Sequence, residues 1–380
     1  MTQSKENHKS SSDDWQIFKG NGAEPHDGIE ERLPDAPSWR PFGKDISPGV
    51  SRRKRRGKTF QTRPEEVKMI NAALYLRRPL LITGKPGTGK SSIVYSVAEE
   101  LKLGEVLYWP ITTRTTLKGG LYNYDAIGRL QEVKQMEARG QGDQVDDPQK
   151  VADFITLGPL GTALLQSNRP RVLLIDEIDK SDIDLPNDLL TIFEEGRFEI
   201  PELLRLEKDD PDKPDAVKPV SVRVRTAYTD DDEVTKADRK VTIRGGRITC
   251  NEFPLVILTS NGERDFPPPF LRRCLRLNMY EPDREQLVAI VKKHFADRGG
   301  NCQVSEDNIN YWIDQFLKKR TQGKEQLATE QLLNALFMVA RNREHLGDDI
   351  DEFIETFLLA RLDRPLATKP SERSSESKGA

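Results

Sequence analysis

Gly84-Lys85-Pro86-Gly87-Thr88-Gly89-Lys90-Ser91 fits the spacing G-x-x-x-x-G-K-[ST], and Ser92 follows it. Glycines at these positions let consecutive backbone N–H groups wrap phosphate oxygens, and a helix N-terminus behind them adds partial positive charge. In that loop Lys90 reaches the β- and γ-phosphates, and Ser91 offers its hydroxyl to Mg²⁺. The competing reading is a chance glycine-rich turn. Further on, the apolar run Val172-Leu173-Leu174-Ile175 ends in Asp176-Glu177. Asp176 can hold Mg²⁺ and Glu177 can polarise a water for attack on the γ-phosphate, which favours hydrolysis over transfer to a hydroxyl. A third apolar run ends at Asn261, a residue able to orient that water or sense the γ-phosphate, or else a plain turn residue. Three prolines, Pro267–Pro269, then stiffen a loop ahead of Arg272 and Arg273. A guanidinium there can meet transition-state charge, directly or across a subunit boundary; the alternative is a pair of surface arginines.

These groups need a scaffold that brings strand ends together. Residues 79–83, 105–109, 171–176 and 254–259 read as strands, and the apolar run of 171–176 does not alternate, as expected of a strand buried on both faces. Helical patterns at 64–74, 90–101 and 186–195 separate them, which predicts a parallel α/β sheet. Residues 154–167 are also expected to be helical. Alternation in 221–225 and in 241–249, around Gly245-Gly246, is a hairpin signal. After residue 281 four helical patterns follow, at 283–297, 305–319, 329–344 and 349–362, and predict a separate helical domain. The resulting division is a flexible arm (1–58), an α/β domain (59–281) with inserts at 112–152 and 203–250, a helical domain (282–364) and a polar tail (365–380). Trp15, Ile17 and Phe18 are isolated apolar residues in the arm.

Composition excludes several classes. The chain of 380 residues carries 59 basic and 62 acidic side chains, a net charge of −3, so bulk electrostatics gives no case for nucleic-acid binding. Six cations within residues 51–58 form one short basic run, usually a solvated linker. No apolar run approaches membrane-span length, and the N-terminus lacks a signal-peptide core. Three cysteines at unrelated spacings and four histidines build neither a disulfide framework nor a histidine metal centre, which fits a reducing cytoplasm.

The four chemical groups, in this order and ahead of a helical domain, resemble the AAA+ ATPases, and within them the MoxR branch. The resemblance runs over about residues 60–362 and is carried by 73–101, 108–130, 154–200 and the segment LVILTSNGERDFPPPFLRRCLRL. It implies a P-loop NTPase fold: a five-stranded parallel sheet flanked by helices, plus a four-helix lid. In family terms Gly84–Ser91 resembles Walker A, Asp176 and Glu177 Walker B, Asn261 sensor 1, and Arg272 or Arg273 the arginine finger. It also implies ATP and Mg²⁺ as ligands, a homo-oligomeric and typically hexameric ring, and a chaperone-like role on a protein partner, often one with a von Willebrand A-type domain. Glu330 stands about where the family often has a lid arginine, so no lid residue is assigned to nucleotide.

Two lesser signals compete with plain packing. Tyr122 and Tyr124, after Gly119-Gly120, occupy the place where AAA+ rings carry a pore loop, but the favoured reading is that both pack beneath the insert. Thr235-Lys236-Ala237-Asp238 imitates a guanine-reading motif, yet no apolar strand precedes it. The leading functional reading is an ATP-hydrolysing ring that remodels a partner. The alternative is an ATP-gated assembly or signalling switch with slow hydrolysis, for example in bacterial defence. A DNA-directed ATPase rests only on residues 51–58 and the arginines of 221–247.

Overall fold

A computed structural model describes residues 17–18, 27, 29–30, 33–34, 36–37, 39, 57, 60–140, 147–210, 213–229, 232, 234–296, 304–322, 326–346 and 352–360. Trp15, most of the basic run and the tail 365–380 lie outside the described residues. The chain divides into two compact units, Phe42–Glu281 and a second made of Met1–Pro41 with Pro282–Ala380.

The first unit is built on a five-stranded sheet in the order Leu275–Asn278, Leu80–Thr83, Leu255–Ser260, Val172–Asp176, Leu107–Pro110. Every neighbouring pair is parallel. Period-2 alternation sends side chains of the three inner strands to two different cores, whereas the edge strand Leu275–Asn278 buries one face and exposes Arg276 and Asn278 on the other. Leu81, Leu173, Ile175, Val256 and Leu258 enter one, while Leu80, Ile82, Leu174 and Ile257 enter the other. Both faces of the inner strands are therefore dry, which is why those strands read as unbroken apolar runs. Parallel register also carries all five C-terminal strand ends to one edge, where the polar residues following each apolar run accumulate.

Helix Lys90–Glu100 follows strand Leu80–Thr83 after the six-residue loop 84–89. Its N-cap, Gly89, has φ +91°, and a Cβ there would meet the Phe60 ring at 2.5 Å. Gly84, at φ +154°, is equally constrained, since a Cβ would approach the Met279 carbonyl oxygen to 2.5 Å. The loop can run close to the end of the last strand at Gly84, and beneath Phe60 at Gly89, only because these two positions lack side chains.

The inserts depart from the sequence expectation in two places. Residues 154–167 are not one helix: Ile155–Leu157 is a strand, and a short helix, Pro159–Ala163, begins at the proline. The hairpin expected over 221–249 forms, but Gly245-Gly246 is not its turn. Lys240–Arg244 pairs antiparallel with Ser221–Arg225, whereas Arg247–Thr249 pairs with Arg197–Glu199. Both glycines are left-handed, at φ +59° and +61°, and they pass the chain from one ladder to the other. A second, four-stranded sheet results, in the order Lys240–Arg244, Ser221–Arg225, Ile155–Leu157, Tyr122–Tyr124. The segment from Thr235 is a capped turn, its hydroxyl accepting from the Asp238 N–H at 3.2 Å, so its likeness to a guanine-reading motif reflects a capping box.

The second unit holds helices Arg284–Ala296, Glu306–Gln322 and Thr329–Leu346 around Trp312, Phe316, Leu332 and Leu336. The fourth helical pattern, expected at 349–362, is represented among the described residues by a single π-turn, Ile354–Leu358, after 352–353. One residue of the expected arm is part of this core. Trp39 is 7% exposed, packs edge-on against His294 and Phe337, and donates its indole N–H to Asn334 Oδ1 at 2.9 Å. A tryptophan can be buried here because its one polar atom finds an acceptor. No helix among the described residues is long and apolar enough to cross a membrane.

Candidate functional site

At the C-terminal edge of the five-stranded sheet, Lys90, Ser91, Asp176, Glu177 and Asn261 form one hydrogen-bonded cluster. Lys90 is 7% exposed, and its Nζ donates to the carbonyls of Gly84 at 2.6 Å and Lys85 at 2.9 Å and to Asn261 Oδ1 at 2.8 Å. All three ammonium protons are thus placed. Burial lowers the Lys90 pKa, and the charges of Asp179, Asp176 and Glu177 partly oppose that shift.

Asp176 is the hub of the neighbouring strands. Its Oδ1 accepts from Ser91 Oγ at 2.8 Å and from Thr259 Oγ1 at 2.6 Å, and its Oδ2 accepts from the Tyr108 hydroxyl at 3.3 Å. Each donor comes from a different strand or helix, so the carboxylate is held from three sides. Ser91 and Asp176 are hard oxygen donors suited to Mg²⁺, which keeps waters and takes phosphate oxygens beside one or two carboxylates. Among the described residues no cluster of three or more His, Cys, Asp or Glu could hold a metal by itself. The phosphate loop fits an anion for a separate reason. The N–H groups of Lys85, Gly87, Thr88, Gly89 and Lys90 donate to no carbonyl among the described residues. Such a row of unpaired N–H groups ahead of a helix is a concavity for negative oxygen. Thr88 closes the loop from within, its hydroxyl donating to the Lys85 carbonyl at 2.9 Å, and Ser92 N–H donates to Gly89 O at 2.9 Å. Lys85 points outward and pairs with Glu281 at 3.0 Å, and Pro86 is exposed.

Glu177 lies in the left-handed region, at φ +61° and ψ +49°, an uncommon conformation for a residue with a Cβ. The turn is fixed by its own N–H, which donates to Thr259 Oγ1 at 2.9 Å. Both carboxylate oxygens have partners: Lys180 Nζ at 2.8 Å on Oε2 and Asn261 Nδ2 at 3.4 Å on Oε1. Donating to the Glu177 carboxylate in turn raises the Lys180 pKa. Asp179 is 5% exposed and ties the turn to the next strand end, its Oδ2 accepting from the N–H groups of Asn261 at 2.9 Å and Glu263 at 3.2 Å. Its Oδ1 has no hydrogen-bond partner.

Thr259, Asp179, Tyr108 and Lys180 are site residues that sequence reasoning missed. Thr259 and Asp179 did carry a signal, each being a small polar residue next to an apolar run. Their partners lie more than 80 positions away, however, so no local pattern reveals the bonds.

Arg272 and Arg273 end the helix Pro268–Arg273, and neither bonds to the Lys90–Asp176 cluster. They differ from each other. Arg273 pairs with Glu194 and reaches the Pro269 carbonyl at 3.5 Å. Arg272 is exposed, and its guanidinium makes no hydrogen bond or ion pair among the described residues. Arg78 anchors the helix end by donating to the backbone carbonyls of both arginines. Of the two tyrosines, Tyr122 is buried and donates to Glu202 Oε2 at 2.8 Å, while Tyr124 packs against the core, so neither is a free aromatic.

Residues 79–244 match the family model described as an AAA domain, dynein-related subfamily. The five-stranded parallel sheet flanked by helices, with helices following on the C-terminal side, is consistent with the P-loop NTPase α/β fold to which that model belongs. The match supports nucleotide binding and ATP-driven activity, and it ends before Asn261 and the two arginines. No curated protein matches the chain significantly.

Proposed function

We propose that this chain hydrolyses ATP at a site completed by a second copy of itself, in a ring, and uses the cycle to remodel or activate a protein partner as MoxR-like ATPases do. The observation that carries the reading is the Asp176–Glu177 turn, strained, buried at its base and held by Thr259 and Asn261 from the adjacent strand. Lys90 and the loop N–H groups bind the phosphates of ATP. Ser91 and Asp176 hold Mg²⁺, which when bound neutralises phosphate charge. Glu177 orients and deprotonates the attacking water, and Asn261, bonded to both Lys90 and Glu177, holds the ammonium and the carboxylate in register. Arg272 is assigned the role of the arginine supplied to the neighbouring copy, because Arg273 is already engaged by Glu194.

The bonds from Lys180 and Asn261 to Glu177 favour a second reading, a slow ATP-gated switch in which the carboxylate stays engaged until a partner releases it. ATP turnover measured against protein concentration separates the two, with Glu177→Gln beside the wild type. Expected for the ring is activity per subunit that rises with concentration and falls about 10²–10⁴-fold in Glu177→Gln, with ATP binding retained. Wild-type turnover no faster than that of the variant at any concentration would rule out the ring as an autonomous hydrolase and leave the switch.

A further inference from the structure

The four-stranded insert sheet has two unlike faces. One buries Val222, Val224, Ile243, Ile155 and Leu157 in the core. The other carries Arg223, Arg225, Lys240 and Arg244, all exposed. In the antiparallel register Arg225 lies opposite Lys240, Arg223 opposite Thr242, and Arg244 opposite Ser221. The four cations therefore occupy one small grid, about 5 Å across strands and about 7 Å along them. Like charges directly opposite each other destabilise a sheet. None of the four makes an ion pair among the described residues, although the neighbouring ladder pairs its own cations, Arg197 with Glu195 and Arg247 with Glu199 and Glu207.

Protection of an open edge explains only part of this. Lys240 and Arg244 are on the outer strand, where charge discourages edge-to-edge pairing. Arg223 and Arg225 are on an inner strand, flanked by Lys240–Arg244 and Ile155–Leu157, and guard nothing. We propose that this face binds the sugar–phosphate backbone of a nucleic acid. The other exposed residues of the four strands on this face are Ser221, Thr242, Thr156 and Asn123, whose hydroxyls and amide are the side chains that join Arg and Lys at phosphates. No apolar or aromatic side chain is exposed on it. An acidic protein partner would find no anchor for the apolar centre of an interface, and a base would find nothing to stack on, so binding is indifferent to sequence. The net charge of −3 hid this face, because acids elsewhere cancel it in the total.

Fluorescence anisotropy of the full chain with a labelled 30-nucleotide oligothymidylate and a 30-base-pair duplex tests the proposal, without ATP turnover. Four phosphate contacts predict that affinity for the duplex falls about 100-fold between 50 and 200 mM salt, and somewhat less for the single strand. Arg223→Ser/Arg225→Ser should reduce that fall to about 10-fold and weaken binding alike on unrelated sequences. Lys240→Ser/Arg244→Ser is the second variant, with thermal melting and ATP turnover as controls for folding. The proposal is overturned if both double variants bind like the wild type, or if only neutralising residues 52–56 abolishes binding. It is also overturned if polyglutamate binds as tightly as the oligonucleotide and with the same loss in the variants, which would mark an acidic protein as the partner.

Discussion

The edge of the parallel sheet and the outer face of the insert sheet treat charge in opposite ways. At the first, Lys90, Asp176 and Glu177 are surrounded by named donors and acceptors from several elements. At the second, four cations stand side by side without a counter-ion among the described residues. Burial accounts for the pairing of Lys90, and of Asp179 beside it, whereas Asp176 is half-buried and the Glu177 carboxylate is 42% exposed, its bond to Lys180 being an i,i+3 pair open to water. A charge withdrawn from water without partners costs several kcal/mol, so a buried site must be internally satisfied whatever its function. Exposed cations carry no such obligation, and their crowding costs stability unless something outside the chain uses it. A paired charge is thus informative about how the fold is held, and an unpaired cluster about what the fold meets.

Arg272 and Arg273 put that contrast on one helix and carry the largest expected effect. Arg272→Ala should lower concentration-dependent ATP turnover by about 10³-fold or more, the scale of an arginine finger, with melting temperature unchanged. Arg273→Ala removes an exposed pair with Glu194 and should change turnover far less. The reverse order in a steady-state assay would break the rule that the unpaired arginine is the one addressed outward.

The same substitution made in both regions sharpens the comparison at smaller amplitude. Thr259→Val leaves the Glu177 N–H without its acceptor and removes one donor from Asp176, both in a buried setting. Urea denaturation should show a loss of about 1–3 kcal/mol, and turnover should fall because the Glu177 turn is no longer fixed. Thr242→Val, on the exposed face, should change stability by less than about 0.5 kcal/mol. Equal costs at the two positions would show that the hydrogen bonds of Thr259 do not distinguish the site.

The parts legible in the sequence are those written contiguously. The strand, the glycine loop and the helix after it occupy adjacent residues, so their geometry follows from spacing alone, and four of the five sheet strands follow from apolar runs; the fifth, Leu275–Asn278, alternates apolar with exposed polar residues and was implied only by the family resemblance. The insert sheet was hidden by its pairings. Ile155–Leu157 is three residues long and sits beside a proline-started helix, so its period could not be separated from the helical one. Gly245-Gly246 has the composition of a hairpin turn, but Arg247–Thr249 finds a longer-range partner in Arg197–Glu199. Trp39 was illegible because a single aromatic among prolines and charges has no period, and its acceptor, Asn334, lies 295 positions away.

Lys90 allows the paired pattern to be tested through pH. Burial holds its pKa below the ordinary lysine value, so between the folded and unfolded pKa values the native state binds fewer protons than the unfolded chain. Stability contributed through this group therefore rises with pH in that window, by at most about 1.4 kcal/mol per pH unit, and levels off above about pH 10.4. Lys90→Met has no such proton to lose. The stability difference, wild type minus Lys90→Met, should climb as urea unfolding is repeated at increasing alkaline pH. A flat difference would mean that Asp179, Asp176 and Glu177 fully offset the burial of the ammonium. The cluster would then be charge-balanced as well as hydrogen-bonded, and the contrast with the exposed cations would be greater.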